Sequence, residues 1–376
     1  MAMTPRSRWA AGALACLAAV TMAACGSDDE SSDSTTAAGG GATEVSGKVY
    51  YINPGSQAVR YIRFDGPNLE AAFKKRAPGI DFQILDGGND AAKQLAQAET
   101  AIANNAKAII LSSADATQAA GILAKASVAK IPVISYAPES LGGPLYAHVS
   151  VPFSQIGDSQ GKYLADNLPE TEGPVRLAKI YGDPGFEFYK QLEKGFDEHV
   201  DPLIQSGKVE VVCEADSRAW SPTNSQRAME QCLTKTNNGV DAVLGMNDDT
   251  LGGALAALRP EGLDSKVILF GGYDATIDAV RRVVTGQQAA TMTPPYKDMA
   301  DTAAQLAIAA IQGKQPPANL VNGEFDNKSE KKIPAAFIPN VFITPDSIQK
   351  TVVDAGIYSK QNICQGVAAD AEFCTA

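Results

Sequence analysis

The chain is poor in histidine, with only His148 and His199, and none of its six cysteines falls in a C-x-x-C spacing. Both shortages argue against a zinc site of the usual Cys/His kind. Basic residues are also outnumbered, with 32 Lys and Arg against 43 Asp and Glu, for a net charge of -11. A chain this acidic has no electrostatic footing on DNA or RNA, so nucleic acid is set aside as a partner. The charge serves solubility instead. Long hydrophobic runs are lacking too. The apolar stretch 9–24 falls short of the roughly 20 residues that cross a bilayer comfortably. Nothing in the pattern calls for a cofactor or a metal.

What is present is enough chain for two ordinary domains: 376 residues, 45% hydrophobic and 20% charged. At the N-terminus Arg6 and Arg8 precede the apolar stretch, as in an export signal. The stretch ends in Met22-Ala23-Ala24-Cys25-Gly26. Small residues before a cysteine resemble the lipobox of bacterial lipoproteins, in which the cysteine is diacylated and becomes residue one. That resemblance implies a signal peptide over 1–24, a lipid on Cys25 and residence on the extracytoplasmic face of the cell membrane. Residues 26–43 are Ser/Gly/Asp-rich without core-forming side chains, so 25–44 reads as a flexible tether. Two acyl chains would hold it firmly, and the lipid would be the only membrane contact. Cys16 leaves with the signal. Cys213, Cys232, Cys364 and Cys374 remain, an even number in an exported chain. Three pairings are possible. Nearness along the chain favours Cys213 with Cys232 and Cys364 with Cys374.

From Gly47 onward, apolar runs and helical periodicities alternate. Strands are expected over 48–52, 81–85, 108–111 and 131–136, with helices over 68–76, 91–104 and 114–129 between and after them. A second set follows: helices over 154–167, 187–200 and 224–234, and strands over 175–181, 209–213, 242–246 and 266–270. A helix over 298–311 and a last strand near 336–343 complete the pattern. Two tandem sets of this kind make an α/β protein with parallel sheets covered by helices. Residues 241–275 are the most informative. They form a strand, a small-residue helix and a second strand, joined by a right-handed crossover. One strand ends in Asn247 and Asp248, the other in Gly271-Gly272-Tyr273-Asp274. Ligands of open α/β sheets sit beyond the carboxyl ends of the strands, which puts Asn247 and Asp274 where a polar small molecule would be held.

Four further segments carry a resemblance: SGKVEVV followed by WSPTN within 206–224, MNDDTLGGALAAL, GLDSKVILFGGYDA and ITPDSI. From 45 to about 360 the chain resembles the type I solute-binding proteins of bacterial sugar ABC transporters, nearest to the xylose-binding group. The resemblance implies two Rossmann-like lobes with parallel sheets, joined by a hinge of three crossovers near Val151, Thr293 and Pro334. Lobe one would comprise 45–151 plus 293–334, and lobe two 152–292 plus 335–376. It implies a monomer that captures a sugar or sugar-like polyol between the lobes and hands it to ABC permease subunits without chemistry. The alternative is a sensory subunit of the same fold, presenting a small polar solute to a membrane receptor.

The resemblance also implies site residues. Asp274 and Asn247 match the ligand aspartate and asparagine; a helix cap is the structural alternative for each. Asp248 reads as a capping or orienting residue. Trp220 matches a tryptophan that covers the C–H face of a sugar. Arg63 and Phe64 stand where the xylose-binding pattern has Arg-Trp, with Arg60 a candidate of the same kind ranked behind Arg63. Glu187 or Phe188 stands where the family places an asparagine, and Thr293 stands at a crossover where many relatives carry Gln. Three departures matter: the family's aspartate-arginine pair is Ala137-Pro138, the asparagine near 187 is missing, and the crossover residue is a Thr. Gly157-Asp158-Ser159-Gln160-Gly161 matches the nucleophile pattern G-x-S-x-G, but it opens a helix without a strand directly before it, so it marks no hydrolase.

Overall fold

The computed structural model describes residues 45–55, 60–186 and 188–375. The expected signal peptide, the tether, Cys25 and Glu187 lie outside the described residues. Strand β1 (Ser46–Asn53) leads to a π-helical turn, Tyr61–Asp65, and directly into α1 (Gly66–Arg76). Then come β2 (Gly79–Asp86), α2 (Ala91–Ala103), β3 (Ala108–Leu111), α3 (Ala119–Val128), β4 (Val133–Tyr136) and β5 (Ala147–Ser150). The next stretch holds α4 (Phe153–Asp166), β6 (Val175–Tyr181), α5 (Tyr189–Gln205), β7 (Val209–Asp216) and α6 (Pro222–Thr236). It continues through β8 (Ala242–Gly245), α7 (Asp248–Leu258), β9 (Ile268–Gly271), α8 (Ile277–Val284) and β10 (Thr291–Thr293). The last part contains α9 (Tyr296–Ile311), β11 (Gly323–Phe325), β12 (Ile333–Phe337), β13 (Val341–Ile343), α10 (Lys360–Ile363) and α11 (Glu372–Thr375).

A seven-stranded sheet runs in the order β11-β12-β5-β4-β3-β1-β2, parallel except for the antiparallel edge strand β11. A four-stranded parallel sheet runs β7-β6-β8-β9. β10 and β13 form a small antiparallel pair. The central strands β3 (AIIL) and β8 (AVLG) are apolar throughout because helices cover both of their faces. In the larger sheet, Tyr51, Ile110 and Ile134 pack with Phe73 of α1 and Ala303 of α9, whereas Ile52, Ile109 and Leu111 pack with Ala101 of α2 and Leu123 of α3. In the smaller sheet, Ile180, Val243 and Leu269 face Leu233 of α6 and Leu255 of α7.

The chain passes between the two halves three times: at 151–152 after β5, at 294–295 after β10, and at 338–340 after β12. The third passage corrects the expectation of one near Pro334. That residue stands inside β12, opposite Glu324, and β12 keeps its place beside β5 as far as Phe337. For the same reason the single strand expected near 336–343 is two strands in different sheets, parted at Ile338-Pro339-Asn340. Cys213 and Cys232 join β7 to α6 with Cα atoms 5.8 Å apart, and Cys364 and Cys374 close the tail at 5.4 Å, both ordinary disulfide separations.

The G-x-S-x-G match has a packing explanation. A Cβ on Gly157 would sit 2.1 Å from the Leu192 carbonyl oxygen, and one on Gly195 would sit 2.4 Å from the Asp158 nitrogen. These glycines let α4 and α5 touch backbone to backbone. His199 pairs through Nε2 with Asp158 at 2.8 Å, and His148 is buried, stacked on Phe325 and bonded to Ser135. Neither histidine is bonded to Ser159.

Candidate functional site

Between the carboxyl ends of the two parallel sheets lies a cavity of about 200 Å³. It is small for a ligand site, and its walls are mostly apolar with a few convergent polar groups. The larger sheet contributes Pro54, Gly55, Arg60, Tyr61, Asn89, Ala137 and Pro138; the other half contributes Phe153, Phe186, Phe188, Trp220, Asn247, Asp249, Tyr273 and Asp274.

Arg60 sits at the start of the π-helical turn and is locked from behind. Its Nε donates to Asp65 Oδ2 at 2.9 Å, and Asp65, fully buried, also accepts from the Tyr136 hydroxyl at 3.0 Å. The guanidinium lies 5.3 Å from the ring centres of both Tyr61 and Tyr296. Burial works against its charge, but Asp65, Tyr296, Tyr61 and Asp274 together outweigh burial and keep Arg60 protonated. Its Nη1 reaches across the cleft to within 3.7 Å of Asp274 Oδ1.

Asp274 comes from the turn after β9. Gly271, Gly272, Asp274 and Ala275 all have positive φ, with Asp274 at 91°. The two glycines are obligatory: a Cβ on Gly271 would meet the Gly245 oxygen at 2.0 Å, and one on Gly272 the Gln288 amide at 2.3 Å. Asp274 itself carries backbone strain of the kind found at ligand clamps, about 1–3 kcal/mol. Its Oδ1 is buried and has no hydrogen-bond partner among the described residues. Burial pushes the carboxyl up to about 6, against the pull of Arg60. Asp274 does not cap the following helix. Thr276 does, by accepting from the Ala279 nitrogen.

Asp248 is the buried brace for this turn. Its carboxylate accepts from the Thr291 hydroxyl at 2.7 Å, the Gln288 amide at 3.2 Å and the Thr276 nitrogen at 2.8 Å. Burial raises its carboxyl to about 7, with Arg282 opposing. Asn247 both caps and lines. Its Oδ1 accepts from the Thr250 nitrogen in a reciprocal capping box at the start of α7, while the residue borders the cavity. The opposite wall is aromatic: Phe153 stacks on Phe188 at 4.6 Å, Phe188 on Trp220 at 5.5 Å, and Phe186 meets Trp220 edge-on at 6.0 Å. Trp220 holds a left-handed backbone with φ of 53°, and Gly182 makes room for its ring.

Of the expected site residues, the fold brings Asp274, Asn247, Trp220 and Phe188 to this cavity. Arg63, Phe64 and Thr293 do not reach it. Three residues along the π-helical turn, Arg63 points its guanidinium over the Tyr358 ring at 5.1 Å, and Phe64 is buried in a stack on Tyr296 at 4.5 Å. The basic and aromatic pair at the cavity is Arg60-Tyr61. Thr293 is buried where β10 pairs with β13, and its hydroxyl donates to the Pro294 oxygen. Asn89, just past β2, escaped notice although the strand-end rule applies to it as well. Tyr61, Phe153, Phe186 and Asp249 carried no signal of their own in the sequence.

The periplasmic binding protein domain family matches residues 49–315. The chain belongs to that family. This binding protein is 30% identical over 290 residues to the D-xylose-binding periplasmic protein of Haemophilus influenzae, a match covering 77% of this chain and 85% of that one. It is 27% identical over 294 residues to the D-xylose-binding periplasmic protein of Escherichia coli K12, covering 77% and 86% respectively. Among solved structures it is similar to an ABC transporter solute-binding protein from Clostridium phytofermentans with bound β-D-glucose. That likeness has a TM-score of 0.74 at 23% identity and covers 84% of this chain and all of the other. The fold is that of type I periplasmic binding proteins, and the protein is a binding protein, not an enzyme.

Proposed function

We propose that this protein captures a monosaccharide-sized sugar or polyol in the cleft and delivers it to an ABC permease from the outer face of the cell membrane, where Cys25 carries its lipid anchor. The observation that carries the reading is the facing pair Arg60 and Asp274. They come from opposite halves, 3.7 Å apart, and share a cavity of about 200 Å³ with Asn247 and an aromatic wall. Guanidinium, carboxylate and amide groups each offer paired hydrogen-bonding atoms for adjacent hydroxyls, and an aromatic face suits the C–H side of a sugar ring. The names of the xylose-binding relatives point the same way. The three passages at 151–152, 294–295 and 338–340 serve as the hinge, so ligand and closure are coupled.

Calorimetric titration of the mature protein against pentoses, hexoses and polyols tests the ligand class. One of them is expected to bind with saturable heat, and silence across the panel would remove the sugar reading. Replacing Cys25 by Ala is expected to move the protein from the membrane fraction to the medium. If the variant stays on the membrane, the lipid anchor is wrong.

A further inference from the structure

The charges in the cleft do not balance. The Arg60 guanidinium is shared by two carboxylates, Asp65 at 2.9 Å behind it and Asp274 at 3.7 Å in front. Asp249 lines the same cavity from the first turn of α7. Its charge opposes the ionisation of Asp274 more strongly than that of Asp65 does. Among the described residues no hydrogen bond supports the Asp249 carboxylate; beyond burial, only the charges of Arg282 and Asp278 act on it. Arg282 answers first to Asp248, whose carbonyl oxygen it holds at 2.9 Å, and Asp278 pairs with Arg281. The N-terminus of α7 offers about half a positive charge, and Asp248 shares that turn with Asp249. Three carboxylates, Asp65, Asp274 and Asp249, thus stand around one guanidinium. Among the described residues that line the cavity, Arg60 is the one cation. Ser56, Gln57, Ala58, Val59 and Glu187, outside the described residues, include no further cation.

Excess negative charge in a mostly apolar cavity is costly. The hydroxyls of a neutral sugar can donate to Asp249 and Asp274, but they leave the excess in place while water is displaced. An ammonium group cancels one unit of it and makes charge-assisted hydrogen bonds to carboxylate oxygens. Burial already holds both carboxyls above their ordinary range, a penalty that a bound cation relieves. The aromatic wall accepts a cation as well as C–H groups. A bare amine does not complete the site, however. Trp220 Nε1 is a buried donor without a partner among the described residues, so the ligand has to bring an accepting oxygen. Resting on the monosaccharide reading above, we propose that the ligand is a cationic amino sugar, with its ammonium on Asp249 and Asp274 and its oxygens on Arg60, Asn247 and Trp220.

The test is calorimetry on the mature protein at pH 7 with matched sets that differ only at the nitrogen. D-glucose, D-glucosamine and N-acetyl-D-glucosamine form one such set, and the galacto and manno sets and the 6-amino-6-deoxy hexoses follow. Within the set that binds, the free amine is expected to lead its neutral parent by roughly tenfold or more. Acetylation, which removes the charge, is expected to abolish that lead. In Asp249→Asn the ratio of amine to parent is expected to shrink toward one. A neutral hexose or pentose that binds as tightly as every amine overturns the proposal and leaves the monosaccharide reading intact. So does an acetylated amine that keeps the lead, or an unchanged ratio in the variant. The wild-type comparison decides on its own where the variant does not fold. Silence from every set overturns both.

Discussion

Asp274 joins a strained backbone, a buried oxygen without a hydrogen-bond partner among the described residues, and a guanidinium 3.7 Å away. A group in that position has a use only when something donates to it. Asp274→Asn is expected to weaken ligand binding at pH 7 by roughly 10- to 100-fold, the scale of a lost hydrogen bond to a charged group. The fold is expected to persist because Asp248, not Asp274, braces the turn. The carboxyl also sets a pH dependence. Its folded value of about 6 lies above the ordinary carboxylate value near 4. Between those limits the native protein without ligand holds more protons than the unfolded chain, so this group's stabilising contribution is full below about pH 4 and lost as pH rises through 6. A hydroxyl donating to the carboxylate favours the ionised form, so affinity is expected to fall as pH drops below about 6, by at most tenfold per unit. Titrations at pH 5 and 7 check this, and Asp274→Asn is expected to flatten the difference. Arg60→Ala acts elsewhere. It strips a buried carboxylate, Asp65, of its charged partner, and is expected to cost about 3–5 kcal/mol in urea unfolding.

Between elements, the contact of α4 with α5 depends on hydrogen in place of a side chain. Gly157→Ala is expected to destabilise by about 1–3 kcal/mol, because the added methyl meets the Leu192 carbonyl. Ser159→Ala, two residues on, is expected to stay within about 0.5 kcal/mol and to bind ligand normally. Denaturant midpoints and calorimetry distinguish the two. The same elements show what the sequence made legible. β3 and β8 are short runs buried on both faces, and their apolar residues announce them. Asn247 and Asp274 stand out in the sequence because strand ends are a physical address in this class of fold. Linear spacing puts Arg63 ahead of Arg60 because it does not register a π-helical turn, which sends residues three apart to different cavities. β5, β10 and β11 are only three or four residues long and too brief to show a period. Ala137-Pro138 and the missing asparagine near 187 read as separate departures in the sequence. Only the folded chain sets Pro138 beside Phe186 and Phe188, at one end of one cavity.

On the scale of the whole molecule, Arg60 and Asp274 face each other across a boundary that the chain crosses three times. Ligand held by both is expected to draw the halves together. Small-angle scattering is expected to show a smaller radius of gyration on addition of the sugar that binds. Asp274→Asn is expected to need more ligand for the same contraction, in proportion to its weaker affinity. An unchanged radius at saturation would mean that the cleft binds without moving.

Strand β1 enters its sheet at Ser46 and delivers Pro54 and Gly55 to the cavity wall. Seven steps of an extended strand separate Ser46 from Asn53, roughly 23 Å at about 3.3 Å per residue. Chemistry attached at Val45 thus sits at the pole remote from the mouth. A biotin or a fluorescent reporter coupled there leaves solute entry unobstructed, so the protein can be mounted on a sensor chip with its affinity in free solution preserved.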